Sequence, residues 1–285
     1  MRQRCAPRAI TPYVALVLLT LWVGPAAAAE PLQFGMLPSR STATLMRDYA
    51  PLKSYLERAL GREIMMGTAP DFREYARRTL AGEYDLLHTA PHFARHAQQE
   101  KGLVPLVRTQ DNVSGVLLVP ADARYRAIAE LRGKTVAMPD ELAVVTLLGE
   151  QLLRAAGLRP GEDVTLSYSP SHASAALAVV HGQAAAAVVF PPIYHSMPEA
   201  DRRLLRVLAE SRKVPGTVYL AHPRLGAKVI AQLRRALLDF HRRDEGQQFF
   251  RALKLSGFSA VTDPEMQALD PYVAILKQRL AQERP

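Results

Sequence analysis

Short apolar runs alternate with longer segments of helical period along most of the chain. The run Leu32–Met36 predicts a strand, and apolar residues at helical spacing follow it as far as Gly61. The same order of strand and helix returns repeatedly up to Phe190. This alternation favours an α/β fold with parallel sheets covered by helices, because parallel strands are usually joined by a crossover helix.

The hydrophobic pattern places these elements along the chain. Strands are predicted at residues 32–36, 63–67, 84–88, 104–108, 113–119, 135–138, 164–168, 184–190 and 218–221. Helices are predicted at residues 45–60, 71–81, from 91 onward, 142–156, 171–181, 227–240, 246–253 and 264–282. Pro51 predicts a kink or a restart in the first helix, and Asp263 is the expected N-cap of the last one.

The series changes character at Pro120, where a second set of strands and helices begins. One extended segment leaves the first set near residue 115, and another returns near residue 218. We therefore predict two lobes joined by two crossovers, with a cleft between them. Residues 30–115 and 220–285 would form the first lobe, and residues 116–219 the second.

The N-terminus has the pattern of a secretory signal peptide. Three arginines within the first eight residues precede an apolar run at 13–23, and Ala27 and Ala29 occupy the −3 and −1 positions of a cleavage site. A membrane anchor is the alternative, but residues 13–29 fall short of the roughly 20 apolar residues that a spanning helix needs. We expect export to the periplasm, cleavage after Ala29 and a mature chain that does not span the membrane.

Composition narrows the chemistry. Cys5, the one cysteine, would leave with the signal peptide, which excludes disulfides and thiolate metal sites from the mature chain. Loss of three signal-peptide arginines lowers the formal net charge from +9 to +6. The surplus forms no basic tract, so nucleic acid is not an expected partner.

Candidate ligand residues lie in the loops after the predicted parallel strands. Ligands bind at the carboxyl ends of such strands, where helix N-termini present unpaired N–H groups. Hydroxyls, imidazoles and aromatic rings gather in these loops, at residues 37–42, 68–72, 88–93, 139–141, 169–172 and 190–194. The chain has no phosphate-binding P-loop, dinucleotide glycine pattern, nucleophile elbow or zincin motif. We therefore expect a binding protein without a cofactor, and an enzyme only as a lesser alternative.

Several short motifs, in their order and spacing, resemble one family. They include Phe34-Gly35-Met36-Leu37-Pro38, Ala69-Pro70-Asp71-Phe72, Ala90-Pro91-His92-Phe93 and Ser171-His172. The chain is similar to the phosphate, phosphite and phosphonate substrate-binding proteins of ABC importers, which are type 2 periplasmic binding proteins. The resemblance implies two lobes, each with a mixed sheet covered by helices, and a small solute bound in the cleft between them.

The resemblance also implies particular ligand contacts. Phe72 and Phe93 fall where the family usually has ligand-facing tyrosines, and His172 matches a histidine that contacts the anionic group. The chain departs from the family in two places: Pro139-Asp140-Glu141 stands where the family has a hydroxyl-rich run, and Phe190 stands where it has an acidic residue. We therefore expect a ligand that is smaller or more apolar than an aminophosphonate.

The predicted site combines these features. We expect an oxyanion or a small acidic molecule, held by hydroxyls, one imidazole and two aromatic walls: Ser39, Thr42, Thr89, Ser171, His172, Phe72 and Phe93. Core packing is the alternative for the two phenylalanines, and the first turn of a helix is the expected place of Asp140 and Glu141. His88, His92 and His96 are spaced by four, which permits a metal site, but no partner carboxylate is evident and no metal is predicted.

Two functions remain open at this point. The first is capture of a small anionic, phosphonate-like solute and its delivery to the permease of an ABC importer. The second is extracytoplasmic sensing for a membrane histidine kinase, since the same fold serves both kinds of partner.

Overall fold

Two mixed sheets organise the computed structural model, which describes residues 30–282. The first sheet has the strand order β11-β4-β10-β3-β1-β2 and the second has the order β7-β6-β8-β5-β9. The strands are β1 (Leu32–Met36), β2 (Ile64–Gly67), β3 (Leu86–Thr89), β4 (Val104–Thr109), β5 (Val116–Pro120), β6 (Thr135–Met138), β7 (Thr165–Tyr168), β8 (Ala186–Val189), β9 (Leu205–Glu210), β10 (Val218–Ala221) and β11 (Phe258–Ser259).

Helices cover both sheets and account for most of the remaining chain. They are α1 (Thr42–Leu60), α2 (Phe72–Leu80), α3 (Pro91–Lys101), α4 (Val144–Ala155), α5 (His172–Val180), α6 (Pro191–Ser196), α7 (Glu199–Arg202), α8 (Gly226–Phe240), α9 (Asp244–Leu253), α10 (Asp263–Gln267) and α11 (Asp270–Ala281). No helix within residues 30–282 combines the length and apolar character needed to cross a bilayer.

Each sheet has a parallel part and an antiparallel part. In the first sheet β2, β1 and β3 run parallel, whereas β10 pairs antiparallel with both β3 and β4. In the second sheet β7, β6 and β8 run parallel, and β5 is antiparallel to β8 and β9. The expected fold class, two lobes with mixed sheets covered by helices, is confirmed.

The chain passes between the sheets twice, from β4 to β5 and from β9 back to β10. A bridge between Val113 and Val214 joins the two crossing segments. Val218 and Tyr219, which the expected boundary assigned to the second lobe, pair with Thr89 and His88 in the first sheet. Those two residues therefore lie in the sheet to which the chain returns.

Helix α1 packs its buried stripe against the first sheet. Its buried stripe contains Leu45 and Tyr49, and it ends at Gly61, whose φ of 61° is a left-handed conformation that suits glycine. The helix continues through Pro51 without interruption, so the predicted restart does not occur. Buried side chains of α1, α8 and α9 pack on one face of the first sheet.

The C-terminal helix differs from the prediction. Residues 263–281 form two helices separated at Ala268 and Leu269, because Pro271 lacks the N–H that a continuous helix would need at that position. Thr262, not Asp263, is the N-cap: its hydroxyl accepts a hydrogen bond from the Glu265 N–H.

Other differences lie in the short elements. Strand β9 and helices α6 and α7 occupy a segment that the sequence pattern left without elements, and β11 is a two-residue edge strand. The predicted signal peptide, residues 1–29, lies outside the described residues.

Candidate ligand cleft

The carboxyl ends of the parallel strands and the helix N-termini that follow them meet between the two sheets. There, the loops after β1 and β2 and the loops after β6 and β7 line an open cleft of about 530 Å³. We call this space the outer cleft; residues that line it include Ser39, Phe72, Asp140, Ser171 and His172. Both lobes thus contribute walls to one concave surface, as a ligand that holds them together would require.

A deeper space adjoins the outer cleft. This inner cavity, of about 190 Å³, shares Ser39, Phe72, Ala143 and His172 with the outer cleft. It continues toward the first sheet between the first turns of α1 and the end of α9, where Leu253 and Leu255 line it. Most of its wall is apolar. Its polar side chains are Ser39, Arg40, Tyr49, His88, Thr109, Asp111, His172 and Thr217.

His172 lies where both spaces meet, at the first residue of α5. Its Nδ1 accepts a hydrogen bond from the Phe190 backbone N–H at 3.2 Å. Burial lowers the pKa of this imidazole to about 4, so the ring is neutral near pH 7. Because Nδ1 is an acceptor, the neutral ring carries its proton on Nε2 and can donate it to a ligand oxygen.

Ser171 caps the N-terminus of the same helix. Its hydroxyl accepts a hydrogen bond from the Ser174 N–H at 3.1 Å, which makes it the N-cap of α5. The side chain is exposed and lines the outer cleft. Backbone N–H groups in the first turn of α5 add a partial positive charge at this point, which favours an anion.

Ser39 and Phe72 bring the first lobe into the site. Ser39 is exposed in the loop after β1, and Phe72 is partly buried at the start of α2; both line the outer cleft and the inner cavity. Phe93 is buried behind Phe72, with the ring centroids 6.0 Å apart. Of the two predicted aromatic wall residues, Phe72 therefore lines the cleft, and Phe93 packs behind it.

Thr89 and Thr42 lie away from these two spaces. Thr89 is buried and lines a separate small internal cavity together with Phe93, Tyr75 and His96. Thr42 is the exposed first residue of α1 and lines neither the outer cleft nor the inner cavity. Ligand contacts by Thr42, Thr89 and Phe93 thus remain predictions from the sequence.

The acidic pair at 140 and 141 differs from expectation. Helix α4 begins only at Val144, so neither residue is in its first turn. Asp140 accepts a hydrogen bond from the Leu142 N–H at 2.8 Å, and Glu141 forms an ion pair with Arg73 of the first lobe at 3.3 Å. Their carboxylates also line the outer cleft, where they oppose a second negative charge.

The three regularly spaced histidines have separate surroundings. His88 Nε2 lies 3.1 Å from the Tyr49 hydroxyl, His92 Nε2 lies 2.8 Å from the Leu142 carbonyl oxygen, and His96 lines the small internal cavity. Within the described part of the chain, no group of three or more His, Cys, Asp or Glu side chains is arranged to hold a metal ion.

Tyr49 and His88 are cavity residues that the sequence reasoning missed. Tyr49 falls in the buried stripe of α1, and His88, although it belongs to the candidate ligand loop at residues 88–93, is absent from the predicted site. The signal that could have found His88 is its place at the carboxyl end of a parallel strand.

Two α/β lobes, two crossovers and a cleft at the carboxyl ends of the parallel strands define the class of two-lobed solute-binding proteins. Over residues 34–266 the chain matches the model of the family described as "ABC transporter, phosphonate, periplasmic substrate-binding protein", and it belongs to that family. This is a family of transport proteins, which favours uptake over the sensing alternative.

Several solved structures share the fold of this chain. PhnD1 from Prochlorococcus marinus, in complex with methylphosphonate, superimposes with a TM-score of 0.77 at 13% identity, over 87% of this chain and 98% of PhnD1. A binding protein component of an ABC phosphonate transporter from Pseudomonas aeruginosa gives a TM-score of 0.72 at 17% identity, over 88% and 98% of the two chains. The aliphatic sulphonate binding protein SsuA from Escherichia coli gives 0.62 at 20% identity, over 89% and 94%. At these identities the likeness establishes the fold.

Proposed function

We propose that this protein captures a small phosphonate-like anion in the periplasm and delivers it to the permease of an ABC importer. The observation that carries the proposal is the state of His172. It is neutral, its Nδ1 is occupied by the Phe190 N–H, and its Nε2–H is a donor at the start of α5. An oxyanion there would accept from the imidazole and from the helix N-terminus together.

Ligand residues from both lobes supply the reason for closure. Ser39 and Phe72 belong to the first lobe, whereas Ser171 and His172 belong to the second. A ligand that contacts all four stabilises the closed arrangement over an open one. The moving bodies are the lobe built on the first sheet and the lobe built on the second sheet, with the Val113–Val214 bridge between them.

A binding screen of the mature protein tests the ligand class. Methylphosphonate, phosphate, phosphite, 2-aminoethylphosphonate and methanesulfonate are each added to residues 30–285, and the melting temperature is measured. A ligand that binds only the folded state raises that temperature. We expect methylphosphonate to do so and to decrease the radius of gyration in solution scattering. Stabilisation by cations alone, with no anion effective, would refute the anion assignment.

Export is proposed on the pattern of residues 1–29. Expression of the full chain, followed by cell fractionation and N-terminal sequencing, should recover a periplasmic protein that begins at Glu30. A full-length cytoplasmic chain would contradict this part of the proposal.

A further inference from the structure

The inner cavity contains a buried polar atom that no other group satisfies. His88 is 6% exposed and lines this cavity, and its Nδ1 has no hydrogen-bond partner among residues 30–282. Buried polar atoms in native proteins are nearly always paired, so an unpaired one at a cavity wall indicates a missing partner. A ligand in the inner cavity, which His88 lines, would supply this partner.

The other nitrogen of His88 defines what that partner can be. Nε2 lies 3.1 Å from the Tyr49 hydroxyl. A neutral imidazole nitrogen is a better acceptor than a phenol oxygen and a phenol is a good donor, so Tyr49 donates to Nε2. The proton of the neutral ring is then on Nδ1, which makes Nδ1–H a donor that requires an acceptor.

The rest of the cavity is suited to an apolar group. Leu253 and Leu255 line it beyond His88, and Phe190 and Ile193 line it from the second lobe. Asp111 is a carboxylate of this wall, and its two oxygens already accept from the Ser256 N–H at 2.7 Å and the Ser256 hydroxyl at 2.6 Å. These two hydrogen bonds already compensate part of the carboxylate's charge, which reduces its attraction for the ammonium group of a zwitterionic ligand.

We propose that His88 donates to the oxyanion from the first lobe, as His172 does from the second, and that the inner cavity holds an apolar substituent of the same ligand. The preferred substrate is then an alkyl-substituted oxyanion without an amino group. This inference rests on the proposed function, because it assigns the ligand chemistry of the same site.

A series of alkylphosphonates tests the substituent. Calorimetric titration of residues 30–285 with methyl-, propyl- and hexylphosphonate should show affinity rising by about fourfold for each methylene that is buried. 2-Aminoethylphosphonate should bind more weakly than propylphosphonate, which has a similar length. If methylphosphonate binds but longer chains do not bind more tightly, or if the aminophosphonate is preferred, this inference fails while the proposed function stands. If no phosphonate or sulfonate binds at any chain length, the proposed function fails as well.

Two substitutions at His88 distinguish the roles of its two ring nitrogens. His88→Gln keeps a polar group in reach of Tyr49 and removes the donor at Nδ1, so affinity for methylphosphonate should fall by roughly tenfold or more. His88→Asn places its amide near the Nδ1 position and should retain more affinity than His88→Gln. His96→Gln is the matched control, because His96 is also buried with an unpaired Nδ1 but lies on the separate internal cavity.

Melting temperatures of the three variants show whether each one folds. If His88→Gln is folded and binds methylphosphonate as tightly as the parent protein, His88 is not a ligand residue. If His88→Gln does not fold, His88→Leu, which also lacks the donor, takes its place: a folded His88→Leu that binds methylphosphonate as tightly as His96→Gln and the parent protein would overturn the assignment.

Discussion

Hydrogen-bond partners give the histidines of this protein different chemical roles. His172 accepts a backbone N–H at Nδ1 and so presents Nε2–H, whereas the tautomer inferred for His88 presents Nδ1–H. His92 is fully buried, and its Nε2–H donates to the Leu142 carbonyl oxygen across the two lobes. Burial keeps all three rings neutral, so their tautomers, rather than their charges, determine what they bind.

Removal of the His172 imidazole should weaken ligand binding. His172→Ala deletes a donor to an ionised acceptor, and we expect the dissociation constant for methylphosphonate to rise by roughly ten to a hundredfold. Calorimetric titration measures the change. His181→Ala is the control, since His181 is an exposed residue at the other end of α5. Unchanged affinity in His172→Ala would remove this residue from the site.

The buried histidines should make the fold acid-sensitive. Burial lowers the pKa of His88 to about 3 and that of His92 to about 4, against about 6.5 in the unfolded chain. Between pH 7 and pH 5 the unfolded chain therefore takes up protons that the folded protein does not. The free energy of unfolding should fall over this window by about 2 kcal/mol for each such histidine.

Urea denaturation at pH 7, 6 and 5 measures this dependence. The carboxylates whose pKa is lowered, such as Glu57, lose their stabilising effect mainly at lower pH, so the window isolates the histidines. A free energy of unfolding that is constant, or that rises toward pH 5, would contradict the neutral state of His88 and His92.

The N-termini of three helices lie at the cleft, and a side chain caps each of them. Helices α1, α2 and α5 each begin with a side-chain cap, from Ser41, Asp71 and Ser171. These caps fix the first turns at the cleft, while leaving other N–H groups of those turns available. Hydroxyl residues concentrate at this edge partly because Ser41 and Ser171 cap the helices that begin there.

The cap of α10 gives a direct test of this reasoning. The Thr262 hydroxyl accepts from the Glu265 N–H, and the Glu265 carboxylate accepts from the Thr262 N–H. The same carboxylate pairs with Arg108 at 2.7 Å. Thr262→Ala should lower the free energy of unfolding by about 1 kcal/mol. Thr262→Ser keeps the acceptor and should restore most of it. Equal stability of the alanine and serine variants would show that Asp263, the cap expected from the sequence, is sufficient.

At the scale of the whole molecule, α11 connects the two lobes. It packs on α3 of the first lobe, and Arg279 reaches Glu150 of α4 in the second lobe at 2.6 Å. Arg73 of the first lobe donates to the Leu280 carbonyl oxygen at 2.7 Å. Tyr272 donates to Gln151 of α4 at 3.0 Å. The C-terminal helix thus contributes to the position of the second lobe even though it lies far from it in sequence.

The Arg279–Glu150 pair should be the most sensitive part of this connection. Glu150 is buried, and loss of Arg279 would leave its carboxylate with Arg154 as its remaining ion-pair partner within the described residues. Arg279→Ala should lower the free energy of unfolding by about 3 kcal/mol, at the lower end of the range for a broken buried pair. Urea denaturation measures the loss.

A double substitution distinguishes the contribution of the Arg279–Glu150 charges from that of the packing of these two side chains. Glu150→Leu with Arg279→Met replaces the pair by apolar groups and should recover most of the stability lost in Arg279→Ala. Arg154→Ala removes the more exposed partner and should cost less than about 1 kcal/mol. Similar losses in Arg154→Ala and Arg279→Ala would mean that the contact between the lobes adds little.

The local sequence pattern was sufficient to predict strands and helix starts, which depend on residues that are neighbours in the chain. The strands Thr135–Met138 and Val218–Ala221 have the predicted bounds, because short apolar runs between polar turns specify a buried strand. The sequence also indicated that His172 would lie at a helix start. The alternation of strands and helices predicted a sheet with parallel strands. Ligands bind at the carboxyl ends of such strands, so the pattern also predicted where the cleft would lie.

Tertiary structure alone decided which side chains face the cleft. His88 and Thr89 are adjacent on β3, and side chains of a strand alternate between the two faces of its sheet. The sequence predicted Thr89 for the site, but His88 lies on the face of the inner cavity and Thr89 on the opposite face. The packing of α1 and α9 against one face and α2 and α3 against the other determines this orientation, and no property of residues 88 and 89 by themselves encodes it.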